Sequence, residues 1–235
     1  SVIVAGSEYA PRGGHNISIT RSTAATSRHV PSVVDASGGP LEKIYVRSKV
    51  SEHVHLAVVG GGIFGVTAAL ELSRRFPQAS VTLFEKRTDI LQAASGTNQW
   101  RLHRGYHYPR SEPTAIACRD SHDRFVDRFG EAVISDHEHY YCIAAERTKT
   151  SSEAFSAHCD ALGLRASETR LDIVVDDAID SCFRVEEDHI DPLALRALLW
   201  ERLEWRGVDV RRDRRVDSAR ELDDEYDYVV VAAYG

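Results

Sequence analysis

The feature that most constrains this chain is the run from Leu56 to Glu85. Leu56-Ala57-Val58-Val59 is a continuous apolar stretch, as a parallel strand buried on both faces requires. Gly60-Gly61-Gly62 breaks it. Ile63 to Phe76 then carries apolar residues at helical spacing, with Ile63, Val66 and Leu70 on one side, until Pro77 closes the helix. Ser80-Val81-Thr82-Leu83-Phe84 is a second strand of β-branched and aromatic residues, and Glu85 ends it. The whole reads as one βαβ unit of about thirty residues with a right-handed crossover.

Gly60-x-Gly62-x-x-Gly65 joins strand to helix, and Glu85 lies twenty residues past Gly65. Each part has a physical task. Gly60 permits the tight turn, Gly62 lets backbone N–H groups approach a pyrophosphate, and Gly65 allows close packing of helix on strand. The helix start at Ile63 and Phe64 offers backbone N–H groups and a partial positive charge to phosphates. Glu85 can accept both ribose hydroxyls, and an acid there disfavours a 2′-phosphate. Glycine-rich turns also arise from packing alone, so the coincidence of strand, turn, helix, second strand and terminal acid is what points to a dinucleotide. The motif alone does not separate FAD from NAD.

The rest of the chain is consistent with a globular α/β protein. It has 235 residues, 43% hydrophobic and 28% charged, with a formal charge of −7 that argues against a general nucleic-acid binder. No run of eighteen apolar residues spans a membrane and no secretory leader is visible, which suggests a cytoplasmic location. Cys118, Cys142, Cys159 and Cys182 form no CxxC pair and read as reduced thiols. Methionine is absent and the chain stops just after the apolar run Val229 to Ala233, so it reads as part of a longer product.

Residues 1–53 read as an extension or linker, poorly ordered, with Val2–Gly6 as a candidate short buried strand and Lys43–Val50 as a candidate edge strand. Residues 54–108 read as the first part of a nucleotide-binding domain, 109–188 as an inserted α+β layer, and 189–235 as the domain's second part. In the insert, Cys118, His122, Phe125, Val126 and Phe129 have helical spacing with Gly130 as the C′ residue. Tyr140 to Ala144 and Ile173 to Val175 read as strands, and Phe155, Cys159 and Leu162 as a short helix ended by Gly163. Asp191-Pro192 is an N-cap followed by proline at N1. Val208 to Val210 and Tyr228 to Ala232 read as further strands.

The segment Ala94-Ser95-Gly96-Thr97-Asn98-Gln99-Trp100-Arg101-Leu102-His103-Arg104-Gly105-Tyr106-His107-Tyr108-Pro109 resembles the second signature of the FAD-dependent oxidoreductases of the D-amino-acid-oxidase-like superfamily, most nearly its 2-hydroxyglutarate-dehydrogenase-like branch. The resemblance covers about residues 54–235, resuming at Glu187-x-x-Ile190-Asp191-Pro192 and at Val230 to Gly235. It implies a Rossmann-like FAD-binding domain with a partial substrate layer inserted. It also implies oxidation of a CH–OH or CH–NH group of a small acid, a 2-hydroxy acid first, then an amine or amino acid. By the same resemblance, Gly60, Gly62 and Gly65 would hold the pyrophosphate, and Glu85 with Lys86 would bracket the ribose. Ser95, Asn98, Gln99, Arg101 and Leu102 would line the inner pyrophosphate and flavin. Val216 would meet the adenine, and Ala232 and Gly235 would let the backbone run close to the cofactor. Trp100 departs from the pattern, since relatives usually carry a small residue there.

His103 and Arg104 are the candidate catalytic pair. Imidazole suits acceptance of a hydroxyl proton, and Arg104 suits a substrate carboxylate; a polar cluster that only satisfies loop backbone is the competing reading. His137-x-His139 has no convincing third ligand and reads as a solvated loop rather than a metal pair. Two other functions stay open: an NAD(P)-dependent oxidoreductase, which leaves Ala94 to Pro109 unexplained, and a catalytically incomplete nucleotide-binding fragment.

Overall fold

The computed structural model describes residues 2–5, 18–20, 53–173 and 176–233. In chain order its first strands are β1 (Val2–Ala5), β2 (Ser18–Thr20), β3 (His55–Val59), β4 (Ser80–Phe84), β5 (Arg101–Leu102) and β6 (Val133–Ile134). They are followed by β7 (His139–Ala144), β8 (Ala166–Thr169), β9 (Ile179–Val185), β10 (Asp188–Ile190), β11 (Asp209–Arg211) and β12 (Tyr228–Val231). The helices are α1 (Ile63–Arg75), α2 (Glu112–Phe129), α3 (Ser152–Leu162) and α4 (Pro192–Trp205). The chain divides into two compact units, residues 13–98 with 196–235 and residues 1–12 with 99–195. The divisions fall at 98/99 and 195/196 rather than 108/109 and 188/189, because β5 pairs with β10 and so joins the inserted unit.

The first of these units holds a five-stranded sheet in the order β11-β4-β3-β12-β2. β11, β4, β3 and β12 run parallel, and β2 pairs antiparallel with β12 at the edge. Leu56, Ala57, Val58 and Val59 are all buried, as their unbroken apolar run requires of a central parallel strand. Gly65, Val66, Ala69 and Leu70 form the buried side of α1, spaced at three and four residues. Ala57, Val59, Phe84, Leu222, Tyr226 and Val229 make the core, with Val216 packed against it.

In the second unit β1-β7-β9-β8 form one sheet and β5-β10-β6 a smaller antiparallel one. Its core joins Tyr106, Tyr141, Ile143, Phe155, Cys159, Phe183 and Val185. Ser151 caps α3 by accepting the Ala154 N–H, and Gly163 ends it in the left-handed conformation at φ 65°. Asp191 opens α4 by accepting the N–H groups of Leu193 and Ala194 through Oδ1. β1 and β2 both come from the stretch read as an extension; Lys43–Val50 lies outside the described residues.

Four expectations need correcting. Gly130 is right-handed, at φ −56°, and starts a 3₁₀ turn over Gly130–Ala132 instead of acting as a left-handed cap. Ile173 is an exposed turn residue and not strand; Val174 and Val175 lie outside the described residues. His137 is solvated, but His139 begins β7 at 1% exposure, and neither ring nitrogen has a hydrogen-bond partner among the described residues. Burial, aided by His189, holds its imidazole down at about 4 and therefore neutral.

The fourth correction concerns the cysteines. Cys142 and Cys182 stand opposite each other in the β7–β9 register and form a disulfide, so these two are not reduced thiols. Nothing in a spacing without CxxC shows that partners 40 residues apart will meet across two strands. Cys118 and Cys159 are free, and Cys118 is only half-buried. Closing a loop of that length restricts the unfolded chain, so Cys142→Ala/Cys182→Ala is expected to cost about 4 kcal/mol. Urea unfolding with and without reductant checks this: reductant should lower the midpoint of the parent chain and leave the double variant unmoved.

Candidate functional site

Along the five-stranded sheet the chain passes from β3 to β4 on one side, while β12 returns on the other. Strand order thus reverses at β3, and in open α/β sheets ligands settle beyond the carboxyl ends of the strands at such a point. Here those ends meet closely. The Ala232 N–H donates to Val59 O at 2.8 Å, and Gly60 turns at φ 110° beside it. A Cβ on Gly60 would lie 2.7 Å from Ala232 O, and one on Gly65 only 1.8 Å from Gly60 O. Both glycines are thus required by close backbone approach.

The mouth of α1 suits an anion. Gly62 is its N-cap and supplies no side-chain acceptor, and the first turn holds no acid. Ser95, in the 3₁₀ turn Ala94–Gly96, accepts the Ile63 N–H through Oγ at 3.1 Å. Its hydroxyl would also lie 3.3 Å from a Cβ on Gly62. Residues more than thirty positions apart thus meet at the helix end, as a pyrophosphate site needs. Below them Glu85 is buried and doubly held: Oε2 accepts the Gly61 N–H at 2.6 Å and Oε1 the Arg87 N–H at 2.8 Å. Two backbone donors fix an acceptor pair at the end of β4, which matches the ribose-binding chemistry of an acid there.

The remaining candidates divide. Lys86 is exposed beside Glu85, Phe64 is exposed on the first turn of α1, and Ala232 follows β12. Val216 is partly buried against the core of the same unit. Asn98 is exposed and donates to Ala94 O. Gly235 lies outside the described residues. Gln99, Arg101, Leu102, His103 and Arg104 belong to the other unit. Trp100 takes φ 54°, a left-handed conformation that costs an L residue about 1–2 kcal/mol and that glycine alone adopts freely.

In that other unit a charge cluster forms around two adjacent acids. Arg101 pairs with His189 across the β5–β10 ladder, and its side chain, 3% exposed, donates through Nη2 to Glu187 and to the Tyr141 hydroxyl. Glu187 also receives the Tyr141 hydroxyl at 3.1 Å and faces His103 Nδ1 at 3.3 Å. Asp188 faces His122 Nε2 at 2.6 Å and accepts from Arg104 Nη2 at 3.1 Å. Burial works to raise the Glu187 carboxyl, but the His103 hydrogen bond and the Arg101 charge outweigh it and hold the group below the ordinary glutamate range. Asp188 behaves alike: burial opposes ionisation, while Ser135, His122 and Arg104 favour it more. His103 stacks on His107, ring centroids 5.1 Å apart, with Tyr108 edge-on.

Sequence reasoning placed His103, Arg101 and Arg104 near one another but did not single out Glu187, Asp188, Tyr141 or His122. Glu187 carried one signal, its place at the head of Glu-x-x-Ile-Asp-Pro. Among the described residues no group of three or more His, Cys, Asp and Glu side chains is disposed to hold a metal, and no helix is long and apolar enough to cross a membrane.

Comparison with known proteins adds a family. A model of the DAO family, described as FAD dependent oxidoreductase, matches residues 55–234. The chain is 35% identical over 116 residues to the FAD-dependent monooxygenase kojA of Aspergillus flavus, covering 47% of this chain and 27% of that protein. It is 37% identical over 68 residues to the mitochondrial L-2-hydroxyglutarate dehydrogenase of Nematostella vectensis, covering 29% of this chain and 15% of that one. Among solved structures, L-alpha-glycerophosphate oxidase from Mycoplasma pneumoniae with FAD bound superposes at a TM-score of 0.55 and 18% identity, covering 77% of this chain and 53% of that one. The chain thus spans about half, or less, of the length of these proteins.

Proposed function

This chain belongs to the DAO family of FAD dependent oxidoreductases, and from that premise we propose that its glycine loop holds the FAD pyrophosphate. Gly60, Gly62 and Gly65 give the backbone its close approach, and the first turn of α1, from Ile63 and Phe64 on, turns the positive end of its dipole toward the phosphates. Ser95 supplies a hydroxyl at the same point, Glu85 takes the ribose hydroxyls with Lys86 alongside, and Val216 and Ala232 flank the adenine and the cofactor's path. The observation that carries this reading is the α1 N-terminus, where the N-cap Gly62 brings no side chain, the first turn holds no acid, and Ser95 Oγ accepts the Ile63 N–H at 3.1 Å.

We further propose that the protein oxidises a CH–OH or CH–NH group of a small acid. When bound, FAD supplies the two-electron acceptor for a hydride leaving that carbon. His103 takes the hydroxyl proton. Arg104 attracts the substrate carboxylate with a charge that Asp188 partly offsets. Asn98, Gln99, Arg101 and Leu102 belong to the signature segment whose resemblance assigns them to the flavin side.

The test is the visible spectrum of the purified protein. Flavin absorbance that bleaches anaerobically with a 2-hydroxy acid supports the proposal. Colourless protein stabilised by NAD favours the nicotinamide reading, and bound flavin that no acid reduces favours a catalytically incomplete chain. Gly62→Asp should lower FAD occupancy at least tenfold, because its carboxylate would take the phosphate's place at the helix end; flavin absorbance per protein after gel filtration measures it. The likeness to kojA supports a second reading, oxygen insertion, which ¹⁸O from ¹⁸O₂ appearing in the product would establish over simple dehydrogenation.

A further inference from the structure

We infer that Glu187 is the positioning residue for His103, fixing its ring and the tautomer in which Nδ1 carries the proton and Nε2 the lone pair. The inference deepens the function proposed above, since it rests on His103 as the proton acceptor of that site.

The argument begins with how Glu187 is satisfied. Its side chain has no exposure to solvent, and both oxygens face donors. Oε2 takes Arg101 Nη2 and the Tyr141 hydroxyl, while Oε1 takes the Arg104 N–H at 3.4 Å and faces His103 Nδ1 at 3.3 Å. A buried carboxylate so placed beside a guanidinium is ionised, and an ionised carboxylate only accepts. The ring nitrogen that faces it must therefore donate. In the neutral imidazole that puts the hydrogen on Nδ1 and leaves Nε2 as the acceptor, by the rule that the bond made by one ring nitrogen sets the state of the other.

The ring is also held mechanically. His107 stacks on it at 19° between planes, and Tyr108 meets it edge-on at 5.7 Å between centroids. His103 Nε2 has no protein partner among the described residues, and the side chain is one quarter exposed. A general base needs that combination: a lone pair open to substrate, on a ring that cannot swing, with an anion behind it to stabilise the imidazolium formed on proton transfer. Arg101 and Tyr141 serve the same end by holding Glu187 in place, and Asp188, faced in turn by His122, does the corresponding work for Arg104.

Long-range ¹H–¹⁵N spectra of the ¹⁵N-histidine-labelled chain, recorded where the imidazoles are neutral, test this without reference to activity. His103, assigned by its loss in His103→Gln, is expected to show the Nδ1–H pattern and to lose it in Glu187→Gln. An Nε2–H pattern in the parent chain, or an Nδ1–H pattern that survives Glu187→Gln, overturns the inference. Should Glu187→Gln not fold, Arg101→Gln/Glu187→Gln removes both charges of the buried pair and is read the same way. In the flavin-loaded protein, Glu187→Gln should lower kcat about 10–100-fold with KM nearly unchanged, the loss expected when a supporting hydrogen bond behind a working histidine is removed. A rise in KM with kcat unchanged counts against it. A parent chain with the Nδ1–H pattern whose flavin no 2-hydroxy acid or amino acid reduces overturns the proposed reaction, yet supports the placement of His103 by Glu187.

Discussion

A Gly65→Val chain is expected to lose bound FAD and about 3 kcal/mol or more of stability. The Cβ alone would lie 1.8 Å from Gly60 O and 3.5 Å from the Ala232 side chain, before the two methyl groups of valine are counted. Relief requires either that α1 lift away from the sheet, exposing Val66, Ala69 and Leu70, or that the Gly60 turn open. Either movement spoils the approach of the helix mouth to phosphate. Gly163→Ala is the natural contrast: φ is 65°, but a Cβ there meets nothing within 4 Å, so only the left-handed conformation is penalised, by about 1 kcal/mol. Urea midpoints and flavin absorbance measure both variants. Equal midpoints for the two would show that α1 and the Gly60 turn are not in contact as described.

The second large effect belongs to Arg101. Arg101→Met keeps most of the side-chain volume and leaves Glu187 buried without its cation, which should cost about 3–5 kcal/mol near neutral pH. Its pH dependence distinguishes lost charge pairing from lost packing. In the parent chain the Glu187 carboxyl is held below its ordinary 4.5 despite burial. It therefore contributes stability that is present above that value and is lost as pH falls through the folded-state pKa. In Arg101→Met the burial penalty is no longer opposed by the guanidinium, and the carboxyl should titrate higher than in the parent chain, so the variant loses less stability than the parent as the pH falls. Urea midpoints of the two proteins should converge as the pH is lowered from neutrality to about 4. A gap that stays constant would assign the cost to packing alone.

These two sites differ in how far they could be read from sequence. The glycine loop and Glu85 sit in a stretch whose grammar is local: an apolar strand, a turn that only glycine permits, a helix and a terminal acid, whereas Ser95 came with the family signature. Asp191 before Pro192 and Gly163 after Leu162 are legible for the same reason, since capping involves neighbours within a turn. The family signature from Ala94 to Pro109 drew attention to His103 and Arg104, and FAD followed from it. Trp100 stood out as a departure, but its left-handed backbone came only with coordinates.

The charge cluster was not legible in the same way. Arg101 and Glu187 lie 86 residues apart, Tyr141 and Glu187 46, and His122 and Asp188 66. Each is an ordinary polar residue in its own neighbourhood. Cys142 and Cys182 failed to announce their bond for the same reason, and His139 looked solvated because its neighbours in sequence are polar while its neighbours in space exclude water.

By itself the sequence determined the βαβ unit, its glycine turn into α1 and the acid that closes it, because these depend on propensity, periodicity and glycine sterics within about thirty residues. Only the tertiary structure decided which carboxylate stands beside which histidine and which cysteines join. Those outcomes depend on strand register and on burial, which turn distant, unremarkable side chains into partners that must satisfy one another once water is gone.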